Sequence, residues 1–261
     1  MNPKAFQRFT DIIVRNLEAD SRVLGLVAAG SMAQADHMPD EWSDHDFWIV
    51  TESGAQEIFR TDYTWLPDAE EIVLTFRETA HGLKIVYRHG HLIEYAVFDP
   101  EELRVTKINS FRVLLDREQI AERLAEIRQT TIQMFNDNVR DEFFLFGQFL
   151  TNLLVGVGRH ARGEHLSGHH FVKLKAVEHL LWLLARHLQP AQPDLLDDID
   201  PFRRVEFTFP EIGDALNQAL LCETPQAAQH LLAIAEKALP SFLSNYPQAA
   251  VDAVRGAIDR I

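Results

Sequence analysis

Asp44 and Asp46 stand one residue apart in "EWSDHDFWIV", just before the apolar run Phe47 to Val50. In an extended chain, residues two apart project from one face, so both carboxylates aim at one point as a strand begins. A pair of acids in such a place suits Mg²⁺, which keeps several waters and takes further ligands from substrate phosphates. Thirteen positions before Asp44, Gly30-Ser31 closes the apolar run "RVLGLVAAG". Glycine lets a backbone come close to a ligand, and a serine hydroxyl with nearby N–H groups can hold phosphate oxygens. Glu94, in "HLIEYAVF", has Leu92 and Ala96 two positions to either side. A glutamate on an otherwise apolar face needs a partner or a purpose. Beside two aspartates and a cation it would serve as a general base. Phosphate cradle, metal clamp and base together fit nucleotidyl transfer, in which a metal offsets charge on the phosphoryl group.

The elements that must position these residues follow from the pattern. Residues 4–19 place Phe6, Phe9, Ile12, Ile13 and Leu17 on one helical face. Residues 22–30 and 46–51 read as buried strands, and 70–78, 82–88 and 91–98 as further β-rich runs. His89-Gly90 reads as a hairpin turn, and Asp99-Pro100 ends the last run because proline cannot donate to a ladder. From about residue 116 the period becomes helical. One helix carries Phe143, Phe146, Leu150, Leu153, Leu154 and Val157, and a second carries Phe171, Leu174, Val177, Leu181 and Leu184. Thr224-Pro225 reads as an N-cap with proline at the first helical position, and Pro240 closes that helix.

The 261 residues are comfortable for two domains, and 46% hydrophobic with 25% charged residues is ordinary for a globular chain. A formal net charge of −14 argues against a general nucleic-acid binder and favours small cationic partners and metal ions. No apolar stretch reaches the length of a membrane span, and the charged N-terminus does not read as a secretory signal. A single cysteine, Cys222, forms no internal disulfide, which fits a reducing cytoplasm.

The pattern G-S, spacer, D-x-D and a later strand acid resembles the nucleotidyltransferase superfamily that includes DNA polymerase β and the antibiotic nucleotidyltransferases. Within it, "GLVAAGSMAQ…EWSDHDFWIV", "HLIEYAVFDPEEL", "FRVLLDR" and "GVGRHARGEH" are most similar to the lincosamide nucleotidyltransferases, and more distantly to streptomycin-type aminoglycoside adenylyltransferases. The resemblance implies an α+β fold. A nucleotidyltransferase-fold catalytic domain, 1–120, would have a mixed β-sheet flanked by helices. An all-α helical bundle, 121–261, would bind substrate, with the active site between the two. It further implies transfer of a nucleoside monophosphate, AMP foremost, from an NTP to a hydroxyl of a small cationic antibiotic. Gly30 and Ser31 would hold phosphates, Asp44 and Asp46 would bind Mg²⁺, and Glu94 would be base or third metal ligand. Two alternatives stand beside it: a protein adenylyltransferase of antitoxin type, and a non-catalytic nucleotide binder that keeps the fold. A homodimer is compatible with the sequence.

Further residues have the chemistry to contribute. Lys173 and Lys175 are candidates for NTP phosphates, because the N-terminal half is poor in cations. His160, His165, His169 and His170 cluster, but their spacing fits no closed zinc site, and His169 or His170 could instead stack on a ligand. Asp141-Glu142 could hold a drug amine or simply suit a helix N-terminus. Trp42, next to the metal loop, is a better stacking candidate than Trp48 or Trp65, and Arg203-Arg204 balance an acidic run.

Overall fold

A computed structural model describes residues 1–35, 38–137, 142–197, 199–241, 243 and 246–261. The chain forms two compact units, Met1–Met134 and Phe135–Ile261.

In the first unit, helix α1 (Pro3–Glu18) begins at Asn2, whose Oδ1 accepts from the Ala5 N–H at 2.9 Å, with Pro3 at the first helical position. Strand β1 (Val23–Ala29) runs into a 3₁₀ turn, Gly30–Ala33, and β2 (His45–Thr51) follows. A short helix α2 (Gln56–Thr61) leads to β3 (Ile72–Arg77), β4 (Gly82–Tyr87), β5 (Leu92–Phe98) and β6 (Phe111–Asp116). These six strands form one sheet in the order β3-β4-β5-β2-β1-β6. The β2–β5 pair is parallel and the other pairs are antiparallel, so the sheet is mixed. The β4–β5 hairpin turns at His89-Gly90, where Gly90 takes a φ of +86°, a conformation glycine adopts without penalty.

The sheet buries its two faces differently. Phe6, Phe9, Ile13 and Leu17 of α1 pack on Leu26, Ala28, Phe47, Ile49, Ile85, Ile93, Tyr95 and Val97. On the opposite face Val27, Val50 and Phe98 pack against Leu103, Ile108, and Ile120 and Leu124 of α3 (Ile120–Asp137). That covering reaches only part of the second face. The helical texture begins near residue 116, yet the first unit runs on through Met134, because α3 is bound into the sheet. Asp116 caps it, accepting from the N–H groups of Ile120 and Ala121 at 2.8 and 3.1 Å.

The second unit holds α4 (Glu142–Ala161), α5 (His165–His169), a π-helical segment (His170–Ala176), α6 (Val177–His187), α7 (Val205–Thr208), α8 (Pro210–Leu221), α9 (Thr224–Ala238) and α10 (Gln248–Ile258). Its core joins Phe146, Phe149, Leu153 and Val157 to Val177, Leu180, Leu184, Leu231, Ala235 and Val254. Three assignments from the helical pattern need correction. Phe143 and Leu154 are exposed, because the buried face of α4 runs through Leu145, Phe146, Phe149 and Leu153 instead. Leu174 is exposed as well, since the π segment widens the turn and shifts the face towards Val172 and Ala176. Glu223, not Thr224, is the N-cap of α9; Thr224 is buried and its hydroxyl lies 3.0 Å from His169 Nδ1.

Gly25 of β1 tests the docking of α3. A Cβ there would stand 2.7 Å from Ile120 Cγ1, inside any normal contact. Gly25→Ala should therefore lower stability by about 1–3 kcal/mol, read as a lower urea midpoint. An unchanged midpoint would mean that α3 does not press on β1.

Candidate functional site

Three strand ends meet at one edge of the sheet. β1 ends where its antiparallel partner β2 begins, with Ala28 opposite Phe47. β5 begins beside β2 because those two run parallel, with Asp46 opposite Glu94. Register partners project to the same side. The next antiparallel pair sets Glu94 opposite Lys84. Asp46, Glu94 and Lys84 therefore form a row across β2, β5 and β4, on the face away from α1, with strands about 4.8 Å apart.

Gly30 is built into this corner. Its φ is +49°, and a Cβ on it would come 3.4 Å from Asp46 Oδ2. That is an ordinary contact, and it is the positive φ that disfavours a side chain at this position. Ser31 follows, 7% exposed, and its Oγ is buried with no hydrogen-bond partner among the described residues. A buried hydroxyl without a partner costs free energy unless a ligand satisfies it. Arg112 of β6 braces the turn from the side, its guanidinium donating to Met32 O at 3.0 Å.

Glu94 is half-buried, and Lys84 meets it. Lys84 Nζ lies 3.0 Å from Glu94 Oε1 and 3.0 Å from Glu78 Oε1. The two carboxylates, Glu94 foremost, raise the lysine's pKa and keep it charged. Glu94 Oε2 carries no hydrogen bond among the described residues. Lys84 is absent from the residues singled out by sequence, although the hairpin about His89-Gly90 pairs Val86 with Leu92 and counts back to Lys84 opposite Glu94.

His45, between the two aspartates, was equally unregarded. It is fully buried, with Phe6 stacked on it at 3.8 Å between ring centres. The Thr10 hydroxyl donates to Phe6 O at 3.1 Å, so it accepts from His45 Nε2–H at 3.0 Å. His45 Nδ1 then accepts from His91 Nε2–H at 2.7 Å. Both rings are neutral in this chain of bonds. Burial drives His45 down to about 3, aided by His91, and drives His91 down to about 4, aided by the Met1 ammonium. With His45 fixed inward, strand alternation turns Asp44 and Asp46 outward.

Among the described residues no three His, Cys, Asp or Glu side chains gather into a metal cage. Two carboxylates leading into β2 nonetheless fit Mg²⁺, whose remaining ligands come from water and phosphate. Asp44 also borders a recess of about 740 Å³, lined by Met1, Trp42, His91 and Leu92 among others.

The remaining candidates have other surroundings. Lys173 belongs to the helical unit, where its ammonium donates to Leu220 O at 2.9 Å and Cys222 O at 2.5 Å, capping the end of α8. His160 and His165 lie 3.2 Å apart through their Nδ1 atoms, and His169 meets Thr224. Glu142 pairs with His187 at 3.1 Å, and Asp141 lies outside the described residues. Arg203 and Arg204 both reach the buried Asp197, at 3.4 and 3.1 Å. Trp65 packs on Phe47 and Tyr95, and Trp48 packs edge-on against Phe98. Trp42 is 85% exposed.

No protein-family model and no curated protein matches the chain. Solved structures with partial likeness include an aminoglycoside 6-adenyltransferase from Bacillus subtilis, at 13% identity and a TM-score of 0.33, covering 96% of this chain and 97% of that one. A nucleotidyltransferase-like protein from Exiguobacterium sibiricum 255-15 stands at 12% and 0.36, covering 89% and 75%. The CdnC protein of E. coli MS115-1, solved with ATP, stands at 13% and 0.31, covering 93% of each chain. Such low scores carry no functional weight, and the chemistry rests on the side chains described above.

The histidine pair sets an acid limit on stability. The unfolded chain takes up protons near the ordinary imidazole value of 6.5, whereas the folded pair resists until about 4 and 3. The unfolded state thus binds more protons below pH 6.5, so this stability is fully present above 6.5 and is lost as pH falls from there towards 4 and 3. Urea midpoints should decline steadily from pH 7 to 5, and His91→Gln should flatten that slope. A wild-type midpoint constant across the range would contradict a neutral buried pair.

Proposed function

We propose that this protein transfers a nucleoside monophosphate from an NTP to a hydroxyl of a small acceptor molecule, with ATP the foremost donor. The observation that carries the proposal is the convergence of Gly30-Ser31, Asp46 and Glu94 at one corner of the sheet. The sequence pattern of D-x-D with a later strand acid supports it independently.

Asp44 and Asp46 would hold a hydrated Mg²⁺, which when bound offsets charge on the transferring phosphoryl group and the departing pyrophosphate. Ser31 Oγ, buried and without a partner among the described residues, donates to a phosphate oxygen of the NTP. Gly30, lacking a Cβ, leaves room for that phosphate beside the Asp46 carboxylate. Lys84 holds Glu94 Oε1, and Glu94 Oε2 accepts the proton from the acceptor hydroxyl. The acceptor oxygen forms a bond to the α-phosphorus as the bond to the bridging oxygen breaks, and pyrophosphate leaves. Positioning of the reactants supplies much of the rate, since little covalent chemistry is asked of the protein.

The acceptor belongs by resemblance to the lincosamide or aminoglycoside class, and the strongly acidic chain suits a cationic molecule. A pyrophosphate-release screen with each NTP and Mg²⁺, across lincosamides, aminoglycosides and hydroxylated metabolites, tests the proposal. At least one acceptor should give acceptor-dependent pyrophosphate and a product heavier by one nucleotidyl group. Label transferred from ATP to protein alone would instead support protein adenylylation. With an acceptor in hand, Asp46→Asn should abolish turnover without changing thermal stability. Glu94→Gln should slow turnover by about 10²–10⁴-fold while retaining NTP binding. Wild-type turnover in either variant would overturn the assignment.

A further inference from the structure

Trp42 is exposed over 85% of its surface, at the rim of the recess of about 740 Å³ that Asp44 borders. An isolated exposed apolar residue is ordinary, but this one is held on a firmly fixed loop. Asp40 Oδ1 accepts from the Trp42 N–H at 2.9 Å and from the Ser43 hydroxyl at 3.0 Å, and the Met1 ammonium donates to Glu41 O at 2.9 Å. The backbone that carries the indole is therefore set before any ligand arrives, which lowers the cost of ordering the loop on binding. A recess of this volume suits a small organic molecule. Its surroundings have two chemical characters. Trp42 and Leu92 offer apolar surface, while the carboxylates of Glu41 and Asp44 offer negative charge. Among the described residues that line it there is no lysine or arginine.

We infer that this recess binds a ring-bearing organic amine, its ring stacked on Trp42 and its ammonium directed to Glu41. The ring gains apolar contact and the cation gains from the indole face, each favourable without a change in the protein. Asp44 belongs both to the recess and to the proposed metal clamp, so the far end of such a ligand comes to the transfer site. The assignment of this amine as the acceptor rests on the transfer reading; its binding does not.

Trp42 and Glu41 are surface residues, so their substitution leaves the folded protein available for measurement. Tryptophan fluorescence would be titrated with phenethylamine, phenethyl alcohol and phenylpropionate, in wild type, Trp42→Ala and Glu41→Gln, with calorimetry as the second readout for the tryptophan variant. None of these probes needs to react. Phenethylamine should bind saturably and more tightly than its neutral and anionic counterparts. Trp42→Ala should weaken it by about tenfold, and Glu41→Gln should bring the amine towards the affinity of the alcohol. No saturable binding, equal binding of all three probes, or binding indifferent to Trp42 would overturn the inference. Amine binding without pyrophosphate release from any acceptor would instead remove the transfer reading and leave the recess assignment standing.

Discussion

His45 uses both ring nitrogens inside the protein, one on Thr10 and one on His91, with Phe6 stacked on its face. Because a strand alternates, fixing that one ring inward fixes its two neighbours outward. A slip of one residue would bury Asp44 and Asp46 among Phe6, Phe9 and Tyr87 and expose the imidazole. Two unpaired carboxylates in such a place are far more costly than one displaced histidine. The buried histidine is thus what orients the aspartates, and α1 takes part because it supplies Thr10 and Phe6.

The rest of the corner is fixed by pairing. Parallel alignment of β2 with β5 brings Glu94 beside Asp46, and the β4–β5 hairpin brings Lys84 beside Glu94. Without Lys84 the row would set acid against acid on one partly buried face. With it, one oxygen of Glu94 is held by the ammonium. Gly30 completes the corner by taking the positive φ of +49° that turns the chain beside the Asp46 carboxylate. Each of these is a local choice of residue, and together they bring Gly30-Ser31, Asp46 and Glu94 to three neighbouring strand ends, where the proposed phosphate cradle, metal clamp and base would stand.

Much of this was legible in the chain. Period-two alternation and a glycine turn leave clear marks, so the positions of Gly30, Ser31, Asp46 and Glu94 at the ends of β1, β2 and β5 are readable from the sequence. Strand β6 was not recognised. Phe111–Asp116 pairs with β1, distant in sequence, and a shift in register between Leu26 and Val27 breaks its alternation. The parallel alignment of β2 and β5 was also hidden, since no turn joins them to set the count. The charge of Lys173 says nothing of where its long stem reaches, and in the fold it reaches the end of α8. His45 was overlooked because its value lies in what it forces on its neighbours rather than in chemistry of its own.

The central claim is that Asp44 and Asp46 hold a divalent cation together with nucleotide phosphates. Water-proton relaxation of Mn²⁺, titrated with protein in the presence and absence of ATP, reads this without an acceptor. Enhancement that depends on ATP, and that disappears in Asp46→Asn, is the result expected. Enhancement equally strong in that variant, or absent from the wild type at every ATP concentration, would contradict the account.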